Sequence, residues 1–131
     1  MPTLEPTRDE EKEEMDVIWD ENGKARYRIL KDLRLVDFDG HAIAWLDVQG
    51  NIFDYEGHQK GFYENGIIRD KDGKVLGLGM DPAGAHPVLH DKGLIPKSAK
   101  APAEPKRPKP QKALEKPQPS LLWSQKMLEE L

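Results

Sequence analysis

Four aspartates, Asp20, Asp37, Asp54 and Asp70, each precede a glycine by three residues, at Gly23, Gly40, Gly57 and Gly73, and the glycines stand 17, 17 and 16 residues apart. Carboxylates placed at a fixed interval could ring a cation or an acid–base site, and the pairs Asp37 with Asp39 and Asp70 with Asp72 put oxygen ligands on adjacent turn positions. A calcium loop of the helix-loop-helix kind also needs further ligands and a closing glutamate at its twelfth position, which here falls within the following strand arm. His41 and His58 sit just after their glycines, where the other two units carry Lys24 and Lys74, an interchange that marks solvated surface. His86 and His90 are four apart, but Pro87 breaks the helix that would bring them together as metal ligands. With no cysteine there is also no thiol nucleophile. No residue is therefore expected to be catalytic, cofactor-binding or metal-binding.

The spacing has a structural explanation. Aspartate at the start of a tight turn accepts backbone N–H groups, and glycine at its end supplies the left-handed conformation that closes the hairpin. Asp20, Gly23, Asp37, Gly40, Asp54, Gly57, Asp70 and Gly73 are accordingly read as structural turn residues. Short arms rich in strand formers flank each turn: Val17 to Trp19, Tyr27 to Leu30, Leu33 to Val36, Ile43 to Trp45, Ile52 to Phe53, Phe62 to Tyr63, Ile67 to Ile68 and Val75 to Leu78. Second turns at 31–32, 48–51 and 64–66 join the units, the last through an Asn-Gly pair. Four residues after the glycine, three of the units carry Ala44, Gly61 and Gly77, small residues suited to arms crowding a shared axis, while the first carries Tyr27. A lone hairpin is marginal in water, so the four must bury their apolar faces together. The predicted fold is all-β, a closed ring of four hairpin petals.

These tandem apolar-x-Asp-x-x-Gly hairpins, most clearly the run Gly61-Phe62-Tyr63-Glu64-Asn65-Gly66 continuing to Gly77, resemble the bacterial 4-fold beta flower proteins. The resemblance covers residues 16 to 80 and implies a small closed all-β fold; it carries no activity with it. Phe53-Asp54-Tyr55-Glu56-Gly57 is also similar to the tyrosine-aspartate repeats of large secreted shells, which run to many more copies.

Charged residues are 34% of the chain and the mean hydropathy is −0.77, too polar for all of it to pack into one core. Residues 1–16 hold seven acids against two bases, and residues 97–117 hold seven bases against two acids. The expected division is an acidic disordered N-terminus (1–15), the four-hairpin domain (16–95), a Pro/Lys-rich linker (96–119) and a C-terminal amphipathic helix (120–131), with residues 86–95 as a possible extra edge strand. At helical spacing Leu121, Trp123, Met127, Leu128 and Leu131 share one face, and Ser120 can cap the helix. The longest apolar run, Ala42 to Leu46, is far too short for a membrane span, and a cytoplasmic location is expected.

The functional reading is a non-enzymatic adaptor, a β module tethered to a helix that engages a protein partner through Leu121, Trp123, Met127, Leu128 and Leu131. One alternative is a ligand-binding or enzymatic β module with a pocket at the petal axis. A nucleic-acid accessory protein is the second alternative, disfavoured because the flanks are acidic and the tether's charge is diffuse and lacks interleaved aromatics. Phe38 and Tyr55, inside turn loops, are expected to be exposed.

Overall fold

The computed structural model describes residues 14–100 and 103–128. Eight strands follow one another: β1 (Glu14–Trp19), β2 (Ala25–Leu30), β3 (Arg34–Asp37), β4 (Ala42–Leu46), β5 (Asn51–Phe53), β6 (Gln59–Glu64), β7 (Ile67–Arg69) and β8 (Val75–Leu78). Each pairs antiparallel with the next, and β8 returns to β1 through Trp19 opposite Leu78, closing an all-β barrel. Closure satisfies the backbone groups that a sheet edge would expose. The connections after odd strands lie at one end of the barrel and those after even strands at the other, so Gly23, Gly40, Gly57 and Gly73 share one mouth.

Each odd–even pair carries the same irregularity. The register slips by one residue between Ile18 and Trp19, Leu35 and Val36, Ile52 and Phe53, and Ile68 and Arg69. The unpaired residue on the returning strand is Arg26, Ile43, Lys60 or Leu76, a β-bulge in every case. The next residue, Tyr27, Ala44, Gly61 or Gly77, then points inward. Ile18, Tyr27, Ile29, Leu35, Ala44, Leu46, Ile52 and Ile68 form the interior cluster. The small residues are needed: a Cβ on Gly77 would collide with the Ile18 side chain, and one on Gly61 with the Arg69 carbonyl.

The outer face is covered by the chain after β8. Residues 86–95 form no strand, so the ring is not completed by an extra edge. Instead Leu89 packs against Val17 and Trp19 on one side and Ile67, Val75 and Leu78 on the other, across the seam where β1 meets β8. Lys92 Nζ donates to the Gly79 carbonyl at 2.6 Å and lies 4.9 Å from the centre of the Trp19 ring, and Trp19 Nε1 donates to the Gly93 carbonyl at 2.8 Å. Among the described residues β1 and β8 share one registered pair, and this clasp lies across the same seam.

Among the described residues the Pro-rich segment is not a free leash. Amides of this segment and of the residues flanking it meet the mouth in chain order: Gly93 N donates to Gly23 O (2.7 Å), Ala99 N to Phe38 O (3.0 Å), Gln111 N to Gly57 O (2.9 Å) and Ser120 N to Gly73 O (3.1 Å). A polyproline-like chain has no internal hydrogen bonds, so its N–H groups are available for turn carbonyls. Beneath it Arg28 is fully buried, with Nη2 donating to Ala99 O at 3.3 Å and its guanidinium 5.9 Å from the Phe38 ring centre. Tyr55, expected in solvent, is half-buried and donates to Glu104 Oε2 at 2.6 Å. Phe38 is likewise half-buried.

The C-terminal helix is a second correction. Residues 120–128 contain no α-helix. Val75 N donates to Leu122 O at 2.9 Å and Ser124 N to Val75 O at 2.7 Å, so Trp123 lies as a parallel bridge beside Val75. Pairing with the start of β8 occupies the groups a helical turn would use, and so short an isolated helix is marginal in water.

Candidate functional site

The mouth is assembled from the four Asp-x-x-Gly turns. In each, the aspartate Oδ1 accepts two backbone N–H groups, two and four residues on: Asn22 and Lys24 for Asp20, Asp39 and His41 for Asp37, Glu56 and His58 for Asp54, and Asp72 and Lys74 for Asp70. The glycines close the turns at φ +77, +89, +89 and +87°. The second carboxylate oxygens face their own neighbours. Asp20 Oδ2 lies 3.1 Å from Arg26 Nε, Asp37 Oδ2 lies 2.9 Å from His41 Nδ1, and Asp54 Oδ2 lies 3.6 Å from Lys60 Nζ. Burial raises the Asp54 pKa, but the His58 and Glu56 amides and the Lys60 ammonium outweigh it, and the carboxyl sits below the ordinary value. These four carboxylates do not converge on the axis as a shared acid–base ring. Asp37, Asp39 and His41 bring ligand atoms within 4.8 Å of one another, but both oxygens of Asp37 are already engaged.

The bulges give the mouth its lining. Because the repeat is four-fold, Arg26, Ile43, Lys60 and Leu76 alternate around the opening, cation opposite cation and apolar opposite apolar. Into this ring comes the C-terminal segment: Leu128 is only 2% exposed and belongs to the interior cluster, against which Ile43 and Leu76 also pack. Met127 Sδ accepts from Arg26 Nη2 at 3.1 Å. Cavities of about 230 and 320 Å³ border the inserted leucine, the first lined also by Arg26, Leu76 and Trp123 and the second by Ile43 and Lys60, and a third of about 350 Å³ lies among Arg26, Phe38 and Ile43. Such volumes approach those of small-molecule pockets.

The residues proposed from sequence as partner-binding are placed unequally. Leu121 is 64% exposed, Trp123 is half-buried against the cluster of Ile67, Val75 and Leu78, Met127 is half-buried at the mouth, and Leu128 is on the axis. Leu131 lies outside the described residues. Sequence reasoning missed the bulge residues Arg26, Ile43, Lys60 and Leu76, although they fall at a constant place three residues after each turn glycine. It also missed that Asp47 builds the same turn at the opposite end, its Oδ1 accepting Gln49 N and Asn51 N at 2.9 Å. Its Asp-x-x-Gly spacing was visible at Asp47 to Gly50 but lay out of phase with the repeat.

The model of the 4-fold beta flower protein family matches residues 16–131 of this chain. The chain belongs to the 4-fold beta flower family. The matched span of this beta flower protein takes in the wrapping segment as well as the barrel. Neither a curated protein nor a solved structure matches it. Among the described residues no helix is long and apolar enough to cross a membrane.

Proposed function

We propose that this beta flower protein is a non-enzymatic interaction module whose binding site is the axial mouth and whose C-terminal segment occupies that site in cis. In this reading the barrel is four hairpin petals, each contributing one turn and one bulge residue to the mouth, and the adaptor's handle and its receptor are two halves of one contact. The observation that carries it is Leu128, a leucine from the far end of the chain, buried among interior residues of the barrel. An apolar insertion on a short extended segment, paired with the start of a strand, is a recurring way to hold a peptide. A partner competes by offering its own apolar group to the mouth or by drawing the segment away, and a protein partner fits this better than nucleic acid.

The test uses the full chain. Trp123→Ala/Leu128→Ala weakens the cis contact, and a fluorescein-labelled peptide of residues 118–131 is then titrated by anisotropy. The double variant should bind the peptide saturably and wild type at least about tenfold more weakly, since the cis segment competes at high effective concentration. A folded double variant that ignores the peptide would remove the mouth as a binding site.

A further inference from the structure

We infer that the mouth accepts a small anionic amphiphile, a carboxylate with an apolar body, with the carboxylate on Arg26 and the body in the place of Leu128. This rests on the reading of the mouth as a binding site and names its ligand chemistry. Arg26 is the bulge residue of the first hairpin, and its guanidinium is poorly satisfied where it stands. Nε is sealed from solvent and has no hydrogen bond; Asp20 Oδ2 is 3.1 Å away but out of line. Nη2 donates to the thioether of Met127, a weak acceptor. A carboxylate reaching the same position would replace that contact with a charge-assisted bond, and the planar guanidinium suits two parallel bonds to one carboxylate.

The rest of the ring fits the same ligand. Across the opening Lys60 supplies a second cation, 3.6 Å from Asp54 Oδ2 as Arg26 is 3.1 Å from Asp20 Oδ2, so a cation beside one turn carboxylate stands on each of two opposite sides at the level of the bulges. Between the cations Ile43 and Leu76 are apolar, and beneath them lie Tyr27, Ala44 and the interior cluster. Leu128 shows that a branched four-carbon side chain fits the mouth, and the two cavities bordering it leave room for a longer chain. A neutral amphiphile would gain the apolar contact alone. A cationic one would face Arg26 and Lys60.

Sodium decanoate, kept below its micelle-forming concentration, is titrated into the full chain and into its Leu128→Ala variant while the Ile43, Ala44 and Leu76 methyl resonances are followed by NMR. Decanol and decyltrimethylammonium serve as the neutral and cationic probes. Decanoate should shift these methyls saturably, bind the Leu128→Ala variant at least about fivefold more tightly than wild type, and lose about tenfold in affinity on Arg26→Gln. Decanol affinity should not change on Arg26→Gln. Thermal melts check each variant, and Arg26→Lys, which keeps the charge without the paired donors, should give an intermediate loss if Arg26→Gln does not fold. Equal binding of decanoate and decanol, or an Arg26 substitution without effect on decanoate, would overturn the anionic assignment while leaving the mouth a binding site. If neither probe binds Leu128→Ala while the Trp123→Ala/Leu128→Ala variant captures the C-terminal peptide, the small-ligand inference falls and the peptide reading stands.

Discussion

Replacing Leu128 by alanine probes the contact on which the functional reading depends. The side chain is 2% exposed within the interior cluster, so the substitution removes apolar atoms from a site that water scarcely reaches. Fully enclosed Leu→Ala changes cost about 2–5 kcal/mol. Here the low end applies, because existing cavities border the site and the segment is free to shift into the space. The loss also has a ceiling: once the segment lets go, it cannot exceed the free energy that docked it. We expect about 2 kcal/mol, which at about 4 °C per kcal/mol for a domain of this size lowers Tm by about 8 °C. Calorimetry reads this directly. Amide exchange adds a local signature, since the Val75 N–H, which donates to Leu122 O, should lose protection ahead of amides inside β2 and β6. A Tm within 1 °C of wild type, with the exchange rate of the Val75 amide unchanged by the substitution, would refute the reasoning, because that is what a segment swinging free on a tether would give.

Gly57→Ala should destabilise by at least about 1 kcal/mol in chemical denaturation, since φ is +89° and the new Cβ would stand 2.8 Å from Lys109 O; exchange of the Gln111 amide should quicken, and an unchanged denaturation midpoint would contradict the close approach. Asp54 has its folded pKa below the unfolded value, so its contribution is present above about pH 4 and is lost as pH falls through the folded pKa. The stability gap between wild type and Asp54→Asn should therefore shrink between pH 7 and pH 3 in urea titrations. Burial raises the pKa of Tyr55 and Tyr63, and the hydrogen-bonded carboxylates of Glu104 and Asp16 raise it further. In an alkaline ultraviolet titration these two should ionise only with unfolding, whereas ionisation near pH 10 without loss of structure would place them in solvent. Leu89→Ser should open the β1–β8 seam and lower Tm by several degrees, and a melt matching wild type would show that the clasp is dispensable.

The barrel was legible because its determinants are local. Asp20 to Gly23 and its three counterparts build the turn within five residues, and Ala44, Gly61 and Gly77 announce a crowded interior at one repeated position. The wrapping segment was not legible, because its contacts are backbone amides on turn carbonyls, and those leave no mark in side-chain pattern. Charge and proline content gave residues 96–119 the composition of a solvated linker, yet Tyr55, Phe38 and the buried Arg28 lie against it. Trp123 and Leu128 belong to one broad apolar stripe at helical spacing, but pairing with Val75 placed Trp123 in extended chain, where tertiary contact overrode a weak local preference. The turn glycines had a second role that sequence could not show. Gly23, Gly57 and Gly73 have no room for a Cβ because the chain passes over them at Asp91, Lys109 and Gln118.

The central claim is that the barrel mouth holds the protein's own C-terminal segment. Nuclear Overhauser contacts from selectively methyl-labelled Leu128 test it most directly. The account predicts cross-peaks from the Leu128 methyls to Ile43 and Ala44 in full-length wild-type protein. Their absence, with the barrel's own contacts between Ile18 and Gly77 intact, would contradict it.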